Sequence, residues 1–201
     1  MKTLLDLSNC YKQEKTTMDG MLVAFVGIQI AEILNYVHQA EIIHADIKPD
    51  NFVIVEQMSP ELPHLQYIKP FVKLIDWGRA IDMSFYPDQT FKGRAGTNGS
   101  DCHEMQEDRP WTYQIDYFGY VGTMHVLIFG MYMETFYHAT RKVYAFTEQL
   151  KRRYPLCETW TKMFRDFLNI PSYLEDFATE DVCAWRRAID KCNSILCQSV
   201  Y

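Results

Sequence analysis

The hydrophobic positions in the early part of the chain recur at intervals of three and four residues, the spacing of a helix with one buried face. The positions that carry this spacing are Leu22, Phe25, Val26, Ile30, Ile33, Leu34 and Val37. They predict a helix from near Met21 to Gln39, with Asp19-Gly20 as the break before it. A shorter helix is expected over residues 3–11.

Two short β-rich runs follow this helix, at residues 52–55 and 71–75. Two such runs in succession favour an antiparallel hairpin. The segment that joins them, residues 56–70, contains three prolines and is long for a hairpin loop. We interpret it as a surface insertion, with a disordered or partner-binding loop as the alternative.

The second half of the chain has few strand signals and several helical ones. Residues 76–104 lack periodicity and are rich in Gly, Asp, Ser and Thr, which indicates a long loop. From Pro110 to about Met131 the chain is apolar on nearly every face, a pattern typical of a core helix. Further amphipathic segments are expected at 143–153, 158–168 and 179–197, in a half of the chain that is mostly helical. The predicted fold class is mainly α (α+β), with a central apolar helix and a small β-hairpin.

Composition and charge narrow the classes of partner. The chain has 201 residues and 48% hydrophobic composition, enough for one sizeable core, which suggests a single domain. A net charge of −6 gives no electrostatic basis for direct binding to nucleic acid or to an anionic membrane. The apolar run 121–133 is too short to span a bilayer. Six cysteines form no C-x-x-C pair, which indicates reduced thiols in the cytosol or nucleus.

The stretch 42–51 carries the candidate chemistry. It places a carboxylate, an ammonium and an amide at Asp46, Lys48 and Asn51, and a second carboxylate, Asp76, follows the second β-rich run. In phosphoryl transfer an acid can accept a hydroxyl proton, a lysine can neutralise the migrating group, and carboxylate and amide oxygens can hold Mg²⁺. The alternative is a simple turn, since Asp and Asn favour turns through local hydrogen bonds. The additional carboxylate at Asp76 favours the catalytic interpretation.

Three motifs together resemble the C-terminal lobe of eukaryotic protein kinases, and most closely the Bub family of mitotic spindle-checkpoint serine/threonine kinases. They are H-A-D-I-K-P-D-N-F at 44–52, A-I-D-M at 80–83 and P-W-T-Y-Q-I-D-Y-F-G at 110–119. The resemblance implies a protein kinase C-lobe over residues 1–201, with a catalytic loop at 44–51 and an activation segment at 76–104. It also implies ATP and Mg²⁺ as cofactors.

The same resemblance assigns roles residue by residue. Asp46 resembles the catalytic base, and Lys48 resembles the lysine that contacts the γ-phosphate. The Mg²⁺ ligands are implied to be Asn51 and Asp76, and the floor of the adenine pocket is implied to be Val53 and Ile75. Structural support around the site is implied for four further residues, which are His44, Thr97, Glu104 and Asp116.

Several positions depart from the usual protein kinase pattern. Ala45 stands where most protein kinases have arginine, so no cation there can pair with a phosphorylated activation loop. Trp77 replaces the phenylalanine that usually precedes Gly78. Cys102-His103-Glu104 replaces Ala-Pro-Glu, and Leu174 occupies the aligned position of the arginine that usually pairs with the glutamate.

The motifs of a kinase N-lobe are not seen in residues 1–201. The sequence has no glycine-rich loop and no strand lysine followed by a helical glutamate, and only 43 residues precede His44. We therefore expect an N-lobe to be absent from this chain. As a truncated catalytic domain, the chain on its own is expected to be inactive.

Three functions of different classes remain open. The first, which the resemblance favours, is a serine/threonine protein kinase of the mitotic spindle assembly checkpoint, located in the nucleus at kinetochores, with the cytoplasm as a second location. Its expected partners are a protein substrate, for which a histone tail is one candidate, and kinetochore checkpoint proteins. The second is a small-molecule phosphotransferase of the aminoglycoside or choline kinase type. The third is a non-catalytic, kinase-like interaction module.

Overall fold

The helix predicted to lie in the middle of the core, α4 (Gln114–Phe129), does so in the computed structural model, which describes residues 2–55, 72–95 and 101–170. Most of its residues are buried, on all sides of the helix. It packs against three other helices, which are α1 (Leu4–Gln13), α2 (Gly20–Gln39) and α5 (Cys157–Leu168). An apolar helix can be stable in this position because it has no face that must meet water.

The two N-terminal helices begin within a residue or so of the predicted positions, and each start has a polar cap. Asp19 Oδ1 accepts hydrogen bonds from the backbone N–H groups of Met21 (2.9 Å) and Leu22 (3.1 Å), which satisfies donors that the first turn of α2 leaves free. Thr3 and Asp6 form a reciprocal capping box at the start of α1. These caps explain why each helix starts where it does.

Among the helices in the described ranges, only α2 is long and apolar enough, by length and composition alone, to cross a membrane. However, 56% of its most apolar 18-residue window is buried inside the protein. Its apolar face packs on α4, the environment of a core helix.

In the part of the chain that the structure describes, the strands form three small antiparallel sheets of two strands each. The pairs are β1 (Ile42–Ile43) with β4 (Ile81–Asp82), β2 (Phe52–Ile54) with β3 (Val72–Leu74), and β5 (Thr135–His138) with β6 (Val143–Phe146). The pairing of β2 with β3 confirms the two predicted hairpin strands. The predicted insertion at 56–70 lies outside the described residues. A short helix, α3 (His103–Gln106), lies at the end of the segment predicted to be a long loop, and β4 lies near the start of that segment.

The prediction for residues 143–153 is wrong, because this segment begins with β6 and not with a helical turn. α4 ends at Gly130, which adopts the left-handed conformation (φ 71°), and the chain then folds back as the β5–β6 hairpin. A short apolar run is compatible with the residue spacing of a helix or of a strand. Here the nearby partner strand decides which of the two it forms. The predicted helix at 158–168 is confirmed as α5, and the expected segment at 179–197 lies outside the described residues. The fold is α+β and mostly helical, with small two-stranded sheets.

Candidate active site

Three of the predicted site residues form one hydrogen-bonded cluster around the carboxylate of Asp46. Lys48 Nζ donates to Asp46 Oδ2 at 2.8 Å. Asn51 Nδ2 donates to the backbone oxygen of Asp46 at 2.8 Å and to its Oδ2 at 3.2 Å. Asp46 is only 5% exposed, so these bonds hold a nearly buried carboxylate in one orientation.

The β2–β3 pair brings Asp76 to the same end of the hairpin as Asn51. Phe52 lies opposite Leu74, and the backbone oxygen of Asn51 accepts a hydrogen bond of 2.9 Å from the N–H of Ile75. Asp76 is therefore the next residue beyond a paired position, and its side chain is exposed. Its backbone has φ 65°, a left-handed conformation that few residues other than glycine, asparagine and aspartate adopt.

The oxygen atoms at this end of the hairpin fit a Mg²⁺ site. Both hydrogen bonds from the side chain of Asn51 use its amide nitrogen, so Oδ1 is the atom that can act as a ligand. Asp76 offers an exposed carboxylate at the same end of the hairpin. Mg²⁺ prefers one or two such protein oxygens and completes its shell with water or phosphate oxygens. Asn51 and Asp76 are the residues that would hold the ion.

Asp116, at the start of α4, contacts the backbone of residues 44–45 directly. It is fully buried, and it accepts hydrogen bonds of 2.8 Å from the N–H groups of His44 and Ala45. Ala45 has φ 61°, an uncommon conformation for a residue with a Cβ atom. The two hydrogen bonds stabilise this conformation immediately before Asp46.

A third hydrogen bond to Asp116 comes from His38, a residue that sequence reasoning missed. His38 Nε2 lies 2.9 Å from Asp116 Oδ2, and because a carboxylate accepts, Nε2 carries the proton. Burial raises the pKa of Tyr117 to about 12, so its hydroxyl stays protonated and can donate to His38 Nδ1 at 3.3 Å. His38 lies 78 residues before Asp116, so no local pattern could reveal this contact.

His44 connects the catalytic loop to the residues just before Asp76. Its Nε2 donates to the backbone oxygen of Ile75 at 3.1 Å, and its ring meets that of Trp77 edge-on at 4.9 Å. Its Nδ1 is buried without a hydrogen-bond partner among the described residues, which agrees with the proton being on Nε2. The loop that carries Asp46 and the start of the 76–104 segment are thus held together.

The structure also shows where the two expected pocket-floor residues lie. Val53 is in β2, 5% exposed, and forms an isolated β-bridge with Thr3. Ile75 directly follows β3 and is half-buried. Val53 lies two residues after Asn51, and Ile75 directly precedes Asp76.

Glu104 has an ionic partner in the structure that the sequence alignment did not give. Arg109 Nη2 lies 3.7 Å from Glu104 Oε1, and the N–H of Arg109 donates to the backbone oxygen of Glu104 at 2.7 Å. Arg109 Nε also donates to Glu107 Oε2 at 2.6 Å. Arg109 lies five residues after Glu104, just beyond the end of α3, and not at Leu174, the position that the sequence comparison pointed to. Thr97 lies outside the described residues.

The middle of the 76–104 segment is fixed to the chain that leads into α4. Phe91 and Trp111 exchange two backbone hydrogen bonds of 2.9 Å. The indole Nε1 of Trp111 donates to the backbone oxygen of Gly93 at 2.9 Å. These contacts order this part of the segment without any charged group.

Residues 2–185 match the family model described as the protein kinase domain. The chain is 38% identical to the mitotic checkpoint serine/threonine-protein kinase bub-1 of Caenorhabditis elegans, over 95% of this chain and 21% of that protein. It is 39% identical to the mitotic checkpoint serine/threonine-protein kinase BUB1 of Mus musculus, over 84% of this chain and 16% of that protein.

A solved structure of a protein kinase domain is also similar to this chain. The crystal structure of the BubR1 kinase domain superposes with a TM-score of 0.75 and 32% sequence identity, covering 96% of this chain and 60% of that one. The chain thus spans about a fifth of the length of the two curated relatives and over half of the solved domain. The chain belongs to the protein kinase family, and within it the chain is similar to the BUB1 and BubR1 mitotic checkpoint kinases.

Proposed function

We propose that this chain carries the phosphoryl-transfer residues of a mitotic checkpoint serine/threonine protein kinase that uses ATP and Mg²⁺. The observation that supports this best is the cluster of Asp46, Lys48 and Asn51 next to the exposed carboxylate of Asp76. The family match over residues 2–185 favours a protein substrate over the small molecules of aminoglycoside or choline kinases.

In this proposal Asp46 is the catalytic base. Its carboxylate is oriented by Lys48 and Asn51, so it can accept the proton of a serine or threonine hydroxyl without reorganising. The ammonium of Lys48, 2.8 Å from Asp46, can neutralise charge on the group being transferred. Bound Mg²⁺ would neutralise the phosphate oxygens. Asp116 accepts hydrogen bonds from the loop backbone at Ala45 and from His38. These bonds fix the position of the base relative to the metal ligands.

The proposal extends to domain layout, partners and location. Residues 1–201 correspond in it to a kinase C-lobe, with the catalytic loop at 44–51, the activation segment at 76–104, and Val53 and Ile75 beneath the adenine. The names of the relatives support a role in the mitotic checkpoint. We therefore propose kinetochore checkpoint proteins as partners, a nuclear location at kinetochores, and a protein substrate such as a histone tail.

The test uses a polypeptide in which a kinase N-lobe precedes residue 1. Asp46→Asn should lower kcat by about 10²–10⁴-fold, because the base is lost, while the affinity for ATP changes little. Asp76→Ala should remove turnover even at saturating Mg²⁺, because a metal ligand is lost. Both effects are measured by steady-state kinetics and by nucleotide titration.

The matched control is Asp166→Asn, on the exposed side of α5, which should leave both parameters unchanged. Equal losses of kcat and ATP affinity in Asp46→Asn would assign Asp46 a structural role. Retained turnover in Asp76→Ala would contradict the metal assignment.

A further inference from the structure

His103 is a buried polar residue that the proposed chemistry does not use. It lies in the Cys102-His103-Glu104 triplet, which departs from the usual Ala-Pro-Glu, and it is only 3% exposed. It is the first residue of α3, at the end of the 76–104 segment. A buried imidazole needs partners for its nitrogen atoms, so its surroundings show what holds this end of the segment.

The ring of His103 contacts four elements that come later in the chain. One of them is α4, where the ring of Phe118 meets it edge-on with centroids 5.2 Å apart. His103 Nδ1 donates to the backbone oxygen of Leu168 at the end of α5, at 3.3 Å. Its Nε2 lies 3.0 Å from Thr135 Oγ1 in β5 and accepts from that hydroxyl, since the single ring proton is on Nδ1. The ring stacks on Tyr144 of β6, with centroids 3.5 Å apart and an angle of 13° between the planes.

The partners of His103 are themselves held in place. The side chain of Asn169 binds the backbone of Tyr144 on both sides, accepting from its N–H at 2.6 Å and donating to its oxygen at 3.0 Å. The hydroxyl of Tyr144 donates to Glu107, just after α3. The β5–β6 hairpin is therefore joined to α3 through two residues, His103 and Glu107.

The contact acts through shape and hydrogen bonds rather than through charge. Burial lowers the pKa of His103 to about 4, so the ring is neutral at physiological pH. A neutral ring can satisfy the Leu168 carbonyl and the Thr135 hydroxyl at the same time. This arrangement persists as long as the hairpin stays in place.

We propose that His103, Thr135, Tyr144 and Leu168 form a clamp by which the β5–β6 hairpin fixes the end of the activation segment, with His103 as a positioning residue. Ala45 offers no cation for a phosphate, so the segment depends on contacts such as these for its order. The consequence for catalysis rests on the proposed function, whereas the clamp itself is a property of the fold.

The clamp is expected to affect binding of the protein substrate more than binding of ATP. The nucleotide-binding end of the segment, at Asp76, is held separately by the hydrogen bond between His44 and Ile75. The middle is held separately by Trp111. Loosening the end at His103 therefore leaves the metal ligands in place and displaces only the part of the segment beyond them.

The sharpest variant pair is at Thr135, which is only half-buried, so a small change should be tolerated. Thr135→Val removes the hydroxyl that His103 accepts from and keeps the shape, while Thr135→Ser keeps the hydroxyl. His103→Leu removes both ring hydrogen bonds, and His103→Asn restores a donor near the Leu168 carbonyl. The Thr135 pair tests the clamp even when His103→Leu fails to fold.

The first measurement is amide hydrogen exchange of the 201-residue chain, followed by mass spectrometry. With one buried hydrogen bond lost, Thr135→Val should speed exchange in residues 101–106 by about tenfold, with no change in α2. Thr135→Ser should match the unaltered chain. Identical exchange in all three proteins would overturn the proposal, as would equal acceleration in Thr135→Val and Thr135→Ser.

The second measurement uses the polypeptide with an N-lobe. Thr135→Val and His103→Leu should raise KM for the protein substrate by about tenfold and leave KM for ATP within about twofold, and His103→Asn should recover part of the loss. Equal changes in both KM values would overturn the positioning role. If the 201-residue chain shows the expected exchange difference but the unaltered polypeptide with an N-lobe has no turnover, the proposed function is overturned and the clamp is supported.

Discussion

The side chain of Asp116 accepts three hydrogen bonds while being fully buried, two from the backbone of the catalytic loop and one from His38. A buried carboxylate is stable only when its oxygen atoms are satisfied in this way. The family resemblance assigned Asp116 a supporting role, but its partner His38 became evident only from the packing of α2 on α4.

The first prediction concerns Asp116→Asn. The substituted amide group turns a donor toward one of the two backbone N–H groups, so one buried donor loses its acceptor. We expect the free energy of unfolding to fall by about 2–4 kcal/mol, measured by urea denaturation of the chain. Asp166→Asn, in an exposed ion pair with Lys162, should change it by less than about 0.5 kcal/mol. Equal decreases in the free energy of unfolding for Asp116→Asn and Asp166→Asn would contradict the role of Asp116 in stabilising the loop backbone.

The second prediction is a dependence of stability on pH that arises from His103. Burial lowers the pKa of His103 from 6.5 to about 4. Between these values the unfolded chain binds more protons than the folded chain, so the free energy of unfolding rises with pH across this window. The contribution is fully present above about pH 6.5 and is lost as the pH falls toward 4. Urea midpoints at pH 5 and pH 7 should differ less in His103→Gln than in the unaltered chain, and an unchanged difference would show that His103 is not the titrating group.

At the scale of the elements, patterns within a single element were predictable, whereas pairings between distant elements were not. The spacing of apolar residues predicted α2 from Met21, and the structure begins it at Gly20 with Asp19 as its cap. The β2–β3 strands followed from composition. Strand β6 was missed because its structure depends on pairing with β5, which exists only after Gly130 turns the chain.

The third prediction concerns the close approach of α4 to the catalytic loop. A Cβ atom on Gly119 would lie 2.4 Å from the backbone oxygen of Ile47. Gly119→Ala should therefore push the two elements apart and lower the free energy of unfolding by about 1–3 kcal/mol, measured by thermal denaturation. Gly122→Ala is the matched control in the same helix, because its nearest contact would be Met133 at 4.0 Å. That change should stabilise the chain by up to about 1 kcal/mol, and destabilisation of equal size at both positions would contradict the account.

At the scale of the whole molecule, the proposed metal-binding end of the β2–β3 hairpin is open to solvent. Asp76 is exposed, and Trp77 beside it is 45% exposed. A phosphoryl-transfer site works best when its charges are shielded from water and its reactants are fixed. In residues 1–201 no glycine-rich loop or strand lysine is seen that could cover this end.

The last prediction is that a polypeptide of residues 1–201 alone has no measurable protein kinase activity and binds Mg²⁺-ATP weakly. If residues 1–201 are a kinase C-lobe, as proposed, they provide only one wall of the nucleotide site, so neither desolvation nor positioning of the phosphates is complete. Calorimetric titration with Mg²⁺-ATP and phosphate transfer to a protein substrate measure the two quantities. Phosphorylation by this polypeptide that disappears in Asp46→Asn would refute the prediction, since the variant excludes a contaminating kinase.

The position of Trp77 also gives the protein a built-in optical reporter. Among the tryptophans in the described ranges, Trp111 is 3% exposed and Trp160 is 5% exposed, whereas Trp77 is largely open to solvent and touches the ring of His44. An indole in water emits at longer wavelength than one in a core and is readily quenched by a soluble quencher. Its fluorescence should therefore follow events next to Asp76, so Mg²⁺ binding at the proposed metal site can be tested by titration without attaching a dye.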